Sequence, residues 1–217
     1  MHDTGLATAA DYSEALSVAR RAKSLLALLL MLVLVLQLAT FFLVKYDVLK
    51  IEIPGAIHSI ESATQPVSED RLTDLLHYLT GATLLGGIAA GIVLSLVLLL
   101  ITHVMLVGRL IGVGKVMSAI IWSFVLVVLL FPWQTFMDAT TFKLTGVLWT
   151  WSELLARVKT PDDFTGDALY TTIVHWFRFV VAPLAAIVVT LIVQLKSNRG
   201  LKMALGEDEV LNEMLGK

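Results

Sequence analysis

The chain has 217 residues, of which 57% are hydrophobic and 16% are charged, and its mean hydropathy is +0.83. Soluble domains carry about 25% charged residues, so this composition favours a membrane protein. The net charge of −2 argues against a nucleic-acid binder, and the absence of cysteine excludes disulfide bonds and thiolate metal sites.

The first predicted membrane span covers residues 24–44, a run without any charged side chain. Its length matches the roughly 20 residues needed to cross the hydrocarbon core of a bilayer. A polar, helix-forming segment precedes it and ends in Arg20, Arg21 and Lys23. A cleavable signal peptide is the alternative, but its apolar region would have only about 7–15 residues. We therefore predict an uncleaved span.

A polar segment separates this span from a second long helix. Residues 48–53 alternate polar and apolar side chains, which is typical of a short strand. Ser68 then has the side chain of a helix N-cap, with acids in the following turn. An apolar stripe follows, formed by Leu72, Leu75, Leu76 and Leu79. Because no break follows, we predict one continuous helix from about Glu69 to Leu106, roughly 60 Å long.

The membrane-spanning part of this helix, residues 81–107, carries small side chains on one face. They recur every four positions, at Gly87, Gly91 and Ser95. Small residues at this spacing let a second helix approach closely, so we predict that this face packs against another helix.

Two further spans are predicted, at residues 113–131 and 173–195. The third span is the shortest, and Pro132-Trp133 closes it with a tryptophan suited to the membrane interface. Between the two spans, Leu144–Val158 places apolar side chains on one helical stripe and predicts an amphipathic helix. The fourth span contains Pro183, which removes a backbone donor and should kink the helix.

These elements predict one membrane domain over residues 1–217. Both termini are predicted to be cytoplasmic, because basic residues flank the membrane on that side and no acid lies beside them. The expected location is the plasma membrane, as in a bacterial inner membrane. In this topology residues 1–23 and 196–217 are cytoplasmic tails, and residues 45–80 and 132–172 are extracytoplasmic.

Basic side chains near the predicted membrane boundary are candidate ligands for lipid headgroups. They are Arg20, Arg21, Lys23, Arg109, Lys115 and Lys196. The glycine-rich link before Lys115 lacks the spacing of a phosphate-binding loop. A tight, positively charged turn between two spans is therefore the better interpretation of that link.

Histidines are the only plausible cofactor ligands in the sequence. His77 lies on the outer part of the second helix and His175 at the outer start of the fourth. Both are expected at a similar depth, so a b-type haem held between two helices is conceivable. The alternative, which we favour, is that both histidines are interfacial or hydrogen-bonded and that no cofactor is bound. The sequence predicts no catalytic residue and no metal site.

The fourth span also carries a polar stripe that would suit a transport path. It consists of Thr171, His175, Arg178, Thr190 and Gln194. Such a stripe normally faces the bundle interior, where charged groups are often functional. Arg178 is near enough to the boundary for its guanidinium to reach the interface, and we favour that anchoring role. The apolar runs contain no Asp or Glu, which argues against proton- or cation-coupled transport.

The predicted fold is an all-α integral membrane protein with four antiparallel spans and a small extracytoplasmic helical cap. The base of the second helix and the Leu144–Val158 helix would form the cap, since each apolar stripe alone would face water. The predicted function is a non-enzymatic structural or accessory subunit of a membrane complex or homo-oligomer. A haem b-bearing anchor in electron transfer and a small-solute transporter or channel are the alternatives. Expected partners are the lipid bilayer and other membrane-protein subunits or a second copy, but no nucleic acid.

Overall fold

A computed structural model describes residues 9–46, 68–133, 146–158 and 168–207, and the regular structure in these ranges is entirely helical. The elements are α1 (Ala9–Lys45), α2 (Ser68–Val107), α3 (Val113–Leu130), α4 (Trp151–Val158), α5 (Ala168–Trp176), a π-helical segment (Phe177–Val181) and α6 (Ala182–Ala204). The last three follow one another without interruption and are called the fourth helix below. Within the described ranges, four helices are long and apolar enough to cross a membrane. This confirms the predicted all-α fold with four spans.

The helix boundaries agree closely with the sequence patterns where the residues are described. α2 is continuous from Ser68 to Val107, as the unbroken pattern predicted. α1 begins at Ala9, so the polar segment before the first span belongs to the same helix. α3 ends at Leu130, two residues before Pro132, which cannot continue a helix. The predicted strand at residues 48–53 lies outside the described residues.

By its contacts, the chain divides into two compact units, each with segments of α1, α2 and the fourth helix. Unit 1 comprises Met1–Met31, Ile88–Leu129 and Ala186–Lys217. Unit 2 comprises Leu32–Gly87 and Leu130–Ala185.

Contacts inside each unit show that the helices are antiparallel. In unit 2, a Cβ on Gly87 of α2 would lie 3.1 Å from Val33 Cγ1 of α1. Further along α1, Gln37 Nε2 donates to Thr83 Oγ1 at 3.4 Å. Because the contact moves forward along α1 and backward along α2, the two helices run in opposite directions.

A tight turn in unit 1 reverses the chain between α2 and α3. The Arg109 N–H donates to Leu106 O at 3.1 Å, and the Leu110 N–H donates to Met105 O at 2.9 Å. This is the Schellman pattern, which needs a left-handed residue after the helix. Arg109 has φ +53°, so the arginine and not the preceding Gly108 adopts that conformation. The turn makes α2 and α3 antiparallel neighbours along the chain.

Two glycines in unit 1 allow the start of α3 to approach α6 closely. A Cβ on Gly200 would lie 2.6 Å from Val116 Cγ2. A Cβ on Gly112 would lie 2.5 Å from the Gly200 carbonyl oxygen, and Gly112 also has φ +97°. Nearby, Lys196 Nζ donates to Ser118 Oγ at 2.7 Å. The backbone contact therefore leaves no room for a side chain at either glycine.

We expect Gly200→Ala to lower the free energy of unfolding by about 1–3 kcal/mol, because the new methyl group would overpack against Val116. The matched control is Gly114→Ala, since a Cβ there would meet no atom within 4 Å. That variant should unfold at the same temperature as the parent or slightly above it. Thermal unfolding in detergent measures the stability of both variants. Equal losses of stability in the two would contradict the close approach of α3 and α6.

The predicted cap is present in unit 2. Its core is a buried cluster in which side chains of α1, α2, the fourth helix, α4 and the segment before α4 meet: Phe41, Leu76, Trp149, Trp151, Leu154 and Phe179. Leu79 of α2 and Val158 of α4 pack against this cluster. The two apolar stripes that the sequence assigned to a cap therefore meet in a common core through Leu76 and Leu79 of α2, whereas Leu75 is 59% exposed.

The cap helix is shorter than predicted. The stripe predicted a helix from Leu144, but α4 begins at Trp151, and residues 146–150 are not helical. Thr150 starts the helix, because its Oγ1 accepts the Glu153 N–H at 3.4 Å. Before it, Gly146 packs directly on the backbone of Phe131 at the end of α3. This Thr-x-x-Glu spacing is a capping signal, which the apolar periodicity conceals.

We expect Leu76→Asp or Trp151→Asp to reduce the stability of the detergent-solubilised protein more than Leu98→Ala does. Leu98→Ala only creates a cavity in unit 1, at a cost of about 2–5 kcal/mol. The cap variants would bury a carboxylate in an apolar cluster as well as remove packing. Chemical or thermal unfolding distinguishes them, and smaller losses in both cap variants would refute the packing of the cap.

Candidate functional site

The clearest polar feature of unit 2 is an ion pair between the cap and the fourth helix. Arg178 Nη2 lies 2.5 Å from Glu153 Oε1, and the two side chains are 3% and 18% exposed. The sequence favoured an anchoring role for Arg178 at the membrane interface, whereas the structure places its side chain inside unit 2, beside Glu153. The guanidinium points inward because the Glu153 carboxylate lies there, and a buried cation is tolerated only beside such a partner.

A π-helical segment in the fourth helix sets the direction of Arg178. The Ala182 N–H donates to Phe177 O, five residues earlier, instead of the usual four. Pro183 has no N–H, and in a regular α-helix its ring would crowd the Phe179 carbonyl. The wider turn absorbs this conflict, so the predicted disruption at Pro183 takes the form of a π segment. Both Arg178 and Phe179 are buried as a result.

Aromatic side chains surround the ion pair. The Arg178 Cζ lies 5.9 Å from the centre of the Phe179 ring. Phe179 stacks on Phe41 at 5.1 Å and meets Trp149 edge to face at 5.8 Å. The Trp149 Nε1 is buried and has no hydrogen-bond partner among the described residues. Such apolar cover keeps water away and strengthens the attraction between the two charges.

The two histidines considered as haem ligands have different surroundings. His175 is buried in unit 2, with its ring 4.9 Å from that of Phe179 and 5.8 Å from that of Phe41. His77 lies on the exposed side of α2, where its ring meets that of Tyr78 at 6.0 Å. Sequence spacing predicted a similar depth for the two, but it could not show which way each side chain points.

The other polar residues of the fourth helix take part in bonds between or within helices. Thr190 is completely buried, and its hydroxyl donates to Ala186 O at 2.8 Å. Gln194 is half-buried, and its Nε2 donates to the Lys23 carbonyl at 3.4 Å. The side chain of Thr171 lies outside the described atoms. Of these bonds, the one from Gln194 joins the fourth helix to α1, whereas the one from Thr190 stays within its own helix.

Lys23, a candidate headgroup ligand, is placed inside unit 1. It is completely buried, and its Nζ donates to Ser197 Oγ at 2.7 Å and to Asn198 Oδ1 at 2.5 Å. Both acceptors are neutral side chains of α6, so the lysine fastens α1 to the fourth helix. In this position the ammonium is not presented to the membrane surface.

The remaining candidate headgroup ligands divide into two groups, all in unit 1. Arg20 pairs with Glu207 at 2.6 Å, and Lys196 is bonded to Ser118. The others are exposed, namely Arg21, Arg109 and Lys115. Only the exposed group presents its charge to the surroundings of the protein.

The small-residue face of α2 is turned toward the interior of each unit. In unit 2, a Cβ on Gly87 would lie 3.0 Å from Leu148 Cδ1, so this glycine accommodates the segment before α4. In unit 1, Gly91 is buried and its carbonyl accepts the Ser95 hydroxyl at 3.1 Å. The residues at these positions therefore pack inside the chain.

No protein-family model, no curated protein and no solved structure matches this chain. Within the described ranges, no group of three or more His, Asp or Glu side chains is arranged to hold a metal ion. The membrane assignment therefore rests on the four apolar helices, and any finer function must be argued from the side-chain geometry.

We expect Glu153→Gln to lower the free energy of unfolding by about 3 kcal/mol, because it removes a carboxylate charge that lies beside the buried Arg178 guanidinium. The matched control is Glu207→Gln, which removes the partner of the half-exposed Arg20 and should cost only about 0–1 kcal/mol. Adding Arg178→Met to Glu153→Gln should recover part of the loss. Equal effects of the two single variants in thermal unfolding would argue against a buried ion pair.

Proposed function

We propose that this protein is a non-catalytic, multi-pass membrane protein that serves as a structural or accessory subunit, in a larger membrane complex or in a homo-oligomer. The observation that carries the proposal is the outer face of α2 in unit 2, defined by Tyr78, Gly81, Ala82, Leu85 and Gly86. Tyr78 and Leu85 are strongly exposed. A Cβ on Gly81 or Gly86 would meet no atom within 4 Å.

The shape of this outer face suits a second helix. Small residues between large exposed ones form a notch in which another helix backbone can approach closely. The inner face at Gly87 is already filled by Leu148 and Val33 of the same chain. A partner helix would therefore use the outer face of α2 and not the inner one.

The polar side chains inside the units support a scaffold role. In unit 2, Arg178 pairs with Glu153, and Gln37 donates to Thr83. In unit 1, Lys23 is bonded to side chains of α6. Each of these groups joins two elements of the chain, which is what a rigid membrane scaffold requires.

We further propose that unit 1 faces the cytoplasm of a bacterial-type plasma membrane. Among its exposed basic residues, Arg109 and Lys115 lie at the turn between α2 and α3, and Arg199 and Lys202 lie near the end of α6. Lysine and arginine in such positions favour the cytoplasmic side. Both termini belong to unit 1, so both would be cytoplasmic.

Cysteine crosslinking in native membranes tests the proposal directly, because the chain contains no cysteine of its own. We expect Ala82→Cys to yield a defined dimer or a defined adduct with another membrane protein. Leu184→Cys is the matched control, since it places a thiol on an exposed apolar position of the fourth helix in the same unit. It should give little or no defined product.

Three results would contradict the proposed function. Only monomer from Ala82→Cys would remove the evidence for a partner. A Soret band that disappears in His175→Ala would favour the haem-bearing anchor instead. Solute flux in proteoliposomes that is abolished by Arg178→Met, in a variant that remains folded, would favour a transporter or channel.

A further inference from the structure

We infer that a groove between α1 and α2 in unit 1 docks a basic amphipathic helix of a partner protein, on the side of the membrane where the termini lie. The groove has a volume of about 560 Å³ and opens at the surface of the unit. Its lining residues are Glu14, Ala15, Val18, Ala19 and Ala22 of α1 and Val97 and Leu100 of α2. The inference goes beyond the proposed function, because the partner face proposed on α2 lies in unit 2.

The groove begins at a layer of basic side chains in unit 1. Lys23 of α1 donates to Ser197 of α6. Lys196, which precedes Ser197, donates to Ser118 of α3, so the two lysines lie at one level. Ala22 lines the groove at this level, next to Lys23. Since lysine and arginine collect where spans end, this layer marks the membrane boundary on the side of the termini.

From Ala22 the groove runs away from the uncharged part of α1. Its far end is Glu14, about 12 Å closer to the N-terminus along the helix. The end of α2 reaches this depth as well, because a Cβ on Gly108 would lie 3.5 Å from Tyr12 Cδ1. Strongly exposed apolar side chains therefore lie beyond the basic layer, where lipid tails do not cover them. They are Val18, Leu106 and Val107.

The walls of the groove suit the apolar face of a helix. Alanines at positions 15, 19 and 22 recess the surface of α1, while Val97 and Leu100 form the opposite wall. Large apolar side chains on one face of an amphipathic helix fill such a recess, as in other complexes that bind a helix in a groove. Docking would remove apolar surface of both partners from water, which is favourable.

Glu14 determines the charge that the docked helix should carry. It is the one charged residue that lines the groove, it is exposed, and it makes no ion pair with a described residue. A lysine or arginine of the partner would pair with its carboxylate, whereas a lipid phosphate would be repelled. The exposed Arg21 does not line the groove and lies at the level of Ala22, at the end away from Glu14.

The chain itself supplies no occupant with this charge. Residues 208–217 contain three acids and one lysine, and residues 1–8 contain neither lysine nor arginine. A second copy inserted in the same orientation would bring its own Glu14 to the same level, so like charges would face each other. A separate, basic partner is therefore the occupant that complements the groove.

Disulfide trapping tests this inference with the full chain in nanodiscs of phosphatidylcholine, because the chain has no cysteine of its own. The probe is a synthetic helical peptide with a leucine face, a lysine face and one central cysteine, and a second peptide carries glutamate in place of lysine. Val18→Cys should trap the lysine peptide about threefold more than the glutamate peptide, the factor expected from one exposed ion pair. Adding Glu14→Lys should reverse this preference.

Matched controls separate the groove from the rest of the surface. Ala19→Phe should fill the groove and lower the trapping of both peptides, whereas Ala39→Phe, at an exposed alanine of α1 outside the groove, should not. Asp74→Asn removes an exposed acid of α2 away from the groove and should leave the preference unchanged. Unfolding temperatures of all variants show whether they remain folded.

Several results would overturn the inference. Equal trapping of the two peptides, or a preference that Asp74→Asn abolishes as Glu14→Lys does, would exclude selection by Glu14. Trapping that survives Ala19→Phe in a folded variant would exclude the groove as the binding site. Trapping that appears only after deletion of residues 208–217 would show that the tail of the chain occupies the groove. Disulfide-linked dimers of Val18→Cys without peptide would show that a second copy does.

Discussion

The ion pair between Arg178 and Glu153 is the interaction on which the architecture of unit 2 depends. A guanidinium taken out of water is expensive, and the attraction to a nearby carboxylate offsets that cost only when the geometry is good. The 2.5 Å contact satisfies this requirement and joins α4 to the fourth helix. The π segment at Phe177–Val181 brings Arg178 to the inner side, and the aromatic rings around Phe179 exclude water. This charged contact thus joins segments that are distant in the sequence.

The cap also compensates for the shortness of α3. At 18 residues, α3 is about 27 Å long, just short of the hydrocarbon thickness of a bilayer, whereas the other candidate spans have 33 or 34 residues. In unit 2, Gly146 rests on the backbone of Phe131 at the end of α3, and Leu148 packs on Gly87 of α2. The segment before α4 thus takes a packing position beside the longer helices. Its irregular backbone is compatible with a membrane protein because it is covered by side chains of the chain itself.

Some polar groups inside the two units fasten one helix to another, and the exposed surfaces carry the features suited to partners. Lys23 and Gln37 bond to a neighbouring helix, whereas Thr190 bonds to a carbonyl of its own helix. The open glycines of the outer α2 face form a recess on the outside. In a bilayer, such a recess gains by packing against a helix, since helix association there depends on van der Waals contact. The proposed partner face follows from this difference between inside and outside.

The sequence alone determined the elements that depend on local composition and length. Long apolar runs predicted the four spans, and the unbroken pattern after Ser68 predicted α2 nearly to the residue. The sequence also predicted that the two apolar stripes of the cap pack together, because each stripe would otherwise face water. The predicted start of α4 was too early, because the apolar stripe extends back through residues 146–150. In the structure the helix begins only after Thr150, which caps it, and Gly146 packs on the backbone of Phe131.

Only the tertiary structure decided how each helix is rotated and which polar side chains meet. Periodicity shows that residues share a face, but not what lies opposite that face. Arg178 was therefore assigned to the interface, whereas Glu153, on another element, draws it inward. Lys23 was predicted to lie at the membrane boundary, but its Nζ donates to Ser197 and Asn198 of α6 inside unit 1. The free energy of moving an apolar run from water to lipid depends on that run alone, so the sequence predicts it. The free energy of a buried charge depends on its partner, which a distant part of the chain supplies.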